Sequence, residues 1–156
     1  MTPRRNDDTH PADAIAMLKA DHQRIRYLAA HYEATTNPEA QWTIAEEVLG
    51  ELDVHAQLEE QIFYPAVADQ SDEGERLAQG SLEEHQMLRH LIQELRDMGP
   101  QVHGFDAKFN VLVQNVEDHV ADEEAELFPF VEVTLQDDLG ALMEAIRALK
   151  AQILAS

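Results

Sequence analysis

Six side chains able to bind metal recur at matched spacings in the two halves of this chain. Asp21-His22-Gln23-x-x-Arg26-x-Leu28, followed by His55-x-x-x-Glu59-Glu60 and Pro65, returns as Glu84-His85-Gln86-x-x-Arg89-x-Leu91, followed by His119-x-x-x-Glu123-Glu124 and Pro129. A histidine and a glutamate four residues apart on a helix share a face, about 6 Å apart along the axis. One metal can then take the imidazole while the carboxylate reaches a second. Four imidazoles supply four bonds and two bridging carboxylates four more, which suits two ions with positions left for a bridging oxygen and small molecules. With no cysteine in the chain, every ligand is nitrogen or oxygen. That donor set favours iron or manganese over a structural zinc, and two irons are the expected pair.

Those residues need helices to bring them together, and the apolar spacing supplies them. Asp13 is placed to cap a first helix whose stripe is Ile15, Leu18, His22, Ile25, Ala29 and Tyr32. Asn37-Pro38 opens a second, with Ala45, Val48, Leu52, His55, Glu59, Ile62 and Ala66 in three-four alternation, expected to bend or end near Pro65. Ser71 begins a third, striped by Ala78, Leu82, His85, Leu88, Ile92 and Leu95, which Gly80 and Ser81 could interrupt and Gly99-Pro100 stops. Asp106 can cap a fourth, carrying Phe109, Leu112, Val116, His119, Glu123 and Leu127, expected to end or kink at Pro129. A last amphipathic segment runs from about Asp138 to Leu154. The expected fold is all-α, an up-down-up-down four-helix bundle with an additional C-terminal helix over residues 13–156, preceded by a flexible tail over residues 1–12.

Composition narrows the function classes. Thirty-one acidic against 11 basic residues give a formal charge of -20, which argues against nucleic acid or an anionic membrane as partner. No run approaches a membrane span and the start lacks a secretory apolar region, so a soluble cytoplasmic protein is expected.

The segments Leu18-Lys19-Ala20-Asp21-His22, His55-x-x-x-Glu59-Glu60-x-x-Phe63-Tyr64-Pro65, Glu84-His85 and His119-x-x-x-Glu123-Glu124-x-x-Leu127-Phe128-Pro129 resemble, in order, those of the hemerythrin-like family, the HHE cation-binding domain. The resemblance covers roughly residues 13–130. It implies that His22, His55, His85 and His119 are terminal ligands and that Glu59 and Glu123 bridge two iron ions joined by an oxo or hydroxo group. The oxygen carriers of that family have a fifth histidine where this chain has Arg89, and place their final carboxylate five residues after the histidine matching His119 rather than four. Consumption of O2, H2O2 or NO as an oxidoreductase, peroxidase- or catalase-like or NO-consuming, is therefore expected over reversible carriage. A non-catalytic iron or oxygen sensor, or an oxygen-storage protein, is the alternative.

The remaining polar residues divide less cleanly. Glu60 and Glu124 lie about 100° of helix rotation from the proposed bridges and read as interhelical or solvent-facing charges. Asp21 and Glu84 either orient a neighbouring imidazole or are surface charges. Arg26 and Arg89 either pair with such carboxylates or extend outward. His10, His31, His90 and His103 read as surface histidines, His90 being the one that could replace the missing fifth ligand. Tyr32 reads as core, while Tyr27 and Tyr64 have no assigned role.

Overall fold

Helix α1 spans Ala14–Ala34 and starts where the sequence places it, the Asp13 carboxylate accepting from the Ala16 amide at 2.9 Å. In α2, Pro38–Leu58, the Asn37 side chain accepts from the amides of Glu39 and Ala40, and Pro38 occupies a first-turn position where no donor is needed. The computed structural model describes residues 13–100 and 102–156, so the expected tail lies outside the described residues. Helix α4 runs unbroken over Asp72–Met98 from a Ser71 cap, so Gly80 and Ser81 do not interrupt it. Gly74 in its first turn is needed for close packing, since a Cβ there would meet the Val67 carbonyl oxygen at 2.2 Å.

The prolines act differently from the expectation. Neither Pro65 nor Pro129 ends its helix; in each rod the chain makes one turn of π-helix, Glu59–Phe63 and Glu123–Leu127, and continues as α3, Tyr64–Ala68, or α6, Phe128–Thr134. The Tyr64 amide reaches back five residues to the Glu59 carbonyl, and the Phe128 amide to that of Glu123. Each proline then falls in the first turn after the widened one, where its missing N–H is tolerated. Helix α5, Phe105–Asp122, also departs in detail: its N-cap is Gly104 at φ 94°, and Asp106 sits inside the first turn, accepting from the buried Tyr32 hydroxyl at 3.1 Å.

The two hairpins, α1 with α2–α3 and α4 with α5–α6, pack as the up-down-up-down bundle, and α7, Leu139–Ala155, lies against α1 and α2. Among the described residues there is no strand, and no helix is long and apolar enough to cross a membrane. The core is divided in two. One cluster gathers Ile25, Leu52, Leu88, Ile92, Phe109 and Val116 with their neighbours, and the other gathers Leu18, Leu58, Phe63, Leu127, Phe128 and Ile146. Burying side chains of this size stabilises the fold by about 1.5–3 kcal/mol each before chain entropy is counted. Between the clusters lies a buried polar layer: His22, His55, Glu59, His85, His119 and Glu123.

Candidate metal centre

All six residues expected as ligands converge in that layer. His22 and His55 bring their Nε2 atoms to 3.2 Å of each other, and His85 and His119 bring theirs to 3.1 Å. The glutamates lie between the two pairs. Glu59 Oε1 is 3.0 Å from His55 Nε2 and 3.2 Å from His85 Nε2, while Glu123 places Oε1 3.2 Å from His22 Nε2 and Oε2 3.4 Å from His119 Nε2. Each carboxylate thus spans both imidazole pairs. The residues form two overlapping groups with ion-binding geometry: His22, His55, Glu59 and Glu123 in one, and Glu59, His85 and His119 in the other.

Four further carboxylates fix the imidazoles. Asp21 accepts from His55 Nδ1 at 3.0 Å and Glu84 from His119 Nδ1 at 3.2 Å, each within its own hairpin. Glu60 accepts from His85 Nδ1 at 2.9 Å and Glu124 from His22 Nδ1 at 2.9 Å, each across to the other hairpin. With a carboxylate on every Nδ1, each ring in its neutral form keeps its N–H there and its free lone pair on Nε2, aimed into the layer. Of the two readings the sequence leaves for Glu60 and Glu124, interhelical or solvent-facing, the structure shows the interhelical one, with a ligand-type histidine as the partner. A helix rotation of 100° turns them from the bundle axis toward the adjacent helix, where the other half's histidine stands. Arg89 donates to both oxygens of Glu60, at 2.8 and 2.7 Å, whereas Arg26 pairs with Glu117. Lys150 of α7 approaches Asp21 at 3.6 Å.

Tyr64 is the residue that sequence periodicity misses. Its hydroxyl donates to Glu123 Oε2 at 2.6 Å and lies 3.0 Å from His85 Nε2 and 3.4 Å from His119 Nε2. Five residues beyond Glu59, it would fall well off the inner face of a regular α-helix. The π-turn spends those five residues on one turn and returns Tyr64 to that face. The mate of Tyr64 in the second half is Phe128, whose ring stacks on His22 at 5.9 Å between centroids. His31, His90 and His103 lie on the surface, and His90 faces Glu94, so none adds a ligand.

The electrostatics fit a cation. Glu59 is fully buried, yet neither of its oxygens has a hydrogen-bond partner, and Glu123 Oε1 has none either. Bare lone pairs facing one another in an apolar interior are costly unless positive charge lies between them. Burial pushes the His55 imidazolium down, but Glu59 and Asp21 outweigh it and hold that ring up at about 10. Burial likewise opposes charge on His119, and Glu123, Glu59 and Glu84 overcome it to raise the ring to about 12. Burial disfavours the Glu59 carboxylate, and the surrounding imidazoles nevertheless keep it well below its ordinary range. The Tyr64 phenol is raised well above its ordinary value, first by burial and then by Glu59 and Glu123. The layer calls for positive charge, which protons or metal ions can supply.

On one side of the histidines stand Glu59, Glu123 and Tyr64, all buried. On the other the layer meets a cavity of about 30 Å³ lined by the four imidazoles and mainly by aliphatic side chains, among them Ile25, Leu52, Leu88 and Val116. That volume admits one or two small molecules.

The family described as hemerythrin HHE cation binding domain matches residues 13–131. The crystal structure of an HHE cation binding domain-containing protein, the Rv2633c homolog from Mycobacterium kansasii, superposes with a TM-score of 0.77 at 25% identity, covering 90% of this chain and 86% of that one. The uncharacterized protein Rv2633c of Mycobacterium tuberculosis is 30% identical over 146 residues, 86% of this chain and 88% of its own. A hemerythrin-like protein of Schizosaccharomyces pombe is 26% identical, over 83% of this chain and 63% of that protein. A DNA nickase of Nostoc is 24% identical over 78% of this chain, which spans about a third, 34%, of that protein's length.

Proposed function

This chain belongs to the hemerythrin HHE cation-binding domain family, and from that premise we propose that it is a non-heme diiron protein whose buried centre reacts with O2, H2O2 or NO. The observation that carries the reading is the pair of facing imidazole couples spanned by two buried carboxylates with unpartnered oxygens. Iron bound there as an oxo- or hydroxo-bridged pair would supply Lewis acidity and one-electron steps. His22 and His55 would hold one ion and His85 and His119 the other, with Glu59 and Glu123 as the carboxylates available to both.

The chain's own residues shape that chemistry. Asp21, Glu60, Glu84 and Glu124 keep each imidazole in one tautomer and increase its donor strength. Tyr64 holds a proton 2.6 Å from Glu123 Oε2 and offers an oxygen beside the His85–His119 pair. The aliphatic cavity excludes bulk water and admits a diatomic molecule or peroxide. The position of the carriers' fifth histidine is occupied by Arg89, whose guanidinium is spent on Glu60. Turnover therefore suits the site better than storage. The Nostoc nickase offers no nucleic-acid reading for this chain, whose charge of -20 would repel a phosphate backbone.

The iron-loaded protein should consume H2O2 or NO, with activity lost in Tyr64→Phe or Glu59→Ala. A second reading, a sensor in which metal loading decides whether the bundle holds together, draws on the burial of so many polar groups without other compensation. A large metal-dependent shift in melting without turnover would favour it.

A further inference from the structure

The centre is buried, so a reactant must cross the bundle wall. The two seams between the hairpins, related by the internal repeat, differ at this point. The described lining residues of the cavity contributed by α1 and α5, Ile25, Val116 and Val120 together with His22 and His119, are all buried. Its partly exposed lining residues are Asp53, Ala56 and Arg89, all on α2 and α4. The cavity therefore borders partly exposed side chains only at that seam, while a separate and smaller cavity of about 10 Å³ on the α1/α5 seam has the Arg26–Glu117 pair in its lining.

The arginines account for the difference. On the α1/α5 seam, Arg26 pairs with Glu117 at 3.1 Å, so its side chain lies across the seam one turn from Val120 on α5. Its repeat mate Arg89 does not take the matching acid, Asp53, and turns the other way to Glu60. Asp53 is held instead by Arg96. The Arg89–Glu60 and Arg96–Asp53 pairs are seven residues apart on both antiparallel helices, about 10 Å along the axis. Between them the α2 wall is Ala56, where the other seam has Val120.

We propose that small ligands reach the centre through this one window, over Ala56 and between the two ion pairs of the α2/α4 seam. The proposal rests on the diiron reading, and it goes further by giving the site a single access route and naming the residues that set its width. A methyl side chain and two held-apart arginines admit molecules of two or three atoms. Arg96 acts by keeping Asp53 from drawing Arg89 across, as Glu117 draws Arg26.

The test is the rate of azide binding to the iron-loaded protein, followed by stopped flow. Ala56→Phe should slow association and dissociation together, by tenfold or more, leaving the equilibrium constant nearly unchanged. A merely structural disturbance would change the equilibrium constant instead and overturn the proposal. The milder Ala56→Val, copying the closed seam, should slow both rates by severalfold, and Arg96→Ala should do the same. Val120→Ala should not slow them. Unchanged rates in both Ala56 variants, or acceleration by Val120→Ala to beyond the parent rate, would contradict the single window. Hyperpolarised xenon NMR on the zinc-loaded protein reads the same exchange without iron: slower xenon exchange in Ala56→Phe supports the window even if the iron assignment fails, and unchanged exchange refutes it even if iron content and spectrum are as expected.

Discussion

The two hairpins carry the same ligands but different neighbours, and the contrast between Tyr64 and Phe128 is the sharpest case. In both rods a π-turn that begins at the buried glutamate, Glu59 or Glu123, places an aromatic residue against the polar layer. In the first rod that residue brings a hydroxyl to Glu123 and the His85–His119 pair; in the second it brings only a ring face to His22. The bridges inherit the difference, for Glu123 has the Tyr64 hydroxyl on Oε2 while both Glu59 oxygens lack a hydrogen bond. The two halves of the polar layer, made nearly equal by duplication, are thus made unequal by one oxygen atom. An unequal pair suits a centre that directs a reactant to one ion.

Removing a histidine from either half tests whether the halves form one centre. His55→Ala and His119→Ala should each lower iron from two per chain to about one or fewer and reduce the melting temperature of the iron-loaded protein by several degrees, about 1–3 kcal/mol of lost stabilisation. Iron content equal to the parent's in either variant would break the comparison at its base. The next effect is spectroscopic: Tyr64→Phe takes the hydroxyl away from Glu123 and should shift the visible bands of the iron-loaded protein as the two halves become more alike, and adding Phe128→Tyr should shift them again by placing a hydroxyl in the other half. A visible spectrum identical in all three proteins would show that the oxygen does not distinguish the halves.

Smaller effects follow from the supporting carboxylates. Glu60→Gln and Glu124→Gln, measured by competition with a chelator, should each weaken iron binding by roughly tenfold to a hundredfold. The loss should be smaller for Glu60, because Arg89 holds the side chain in place; equal losses would remove the arginine's part in the asymmetry. The smallest change expected is for Lys150→Ala, whose partly exposed contact with Asp21 contributes at most about 0.5 kcal/mol. A larger fall in thermal stability would mean that α7 does more than cover the first hairpin.

Much of this architecture is legible in residue spacing. The caps at Asp13, Asn37 and Ser71, the six buried histidines and glutamates and the apolar stripes leading up to Glu59 and Glu123 follow a 3.6-residue period, because long helices packed on one core must obey it; beyond Glu59 the expected Ile62 and Ala66 are only half-buried, and the π-turn buries Phe63, Tyr64 and Val67 instead. Tyr64 was hidden because one π-turn changes the period locally, and Pro65 reads equally as a kink or an ending. For Glu60 and Glu124 the spacing leaves an interhelical and a solvent-facing placement open, because a 100° rotation decides between them only once the neighbouring helix is in place. The duplicated Glu-Glu in both halves was the available signal. Which acid each arginine chooses was not legible, since Arg26 and Arg89 have matching positions and matching candidate partners and differ only because Arg96 has already taken Asp53.

Metal analysis of the protein loaded anaerobically with ferrous iron and then oxidised, read together with its Mössbauer spectrum, tests the central claim most directly. The account expects two irons per chain, antiferromagnetically coupled, in two distinguishable sites. A single mononuclear iron per chain, or a protein that takes up no iron while its helices remain intact, would contradict it.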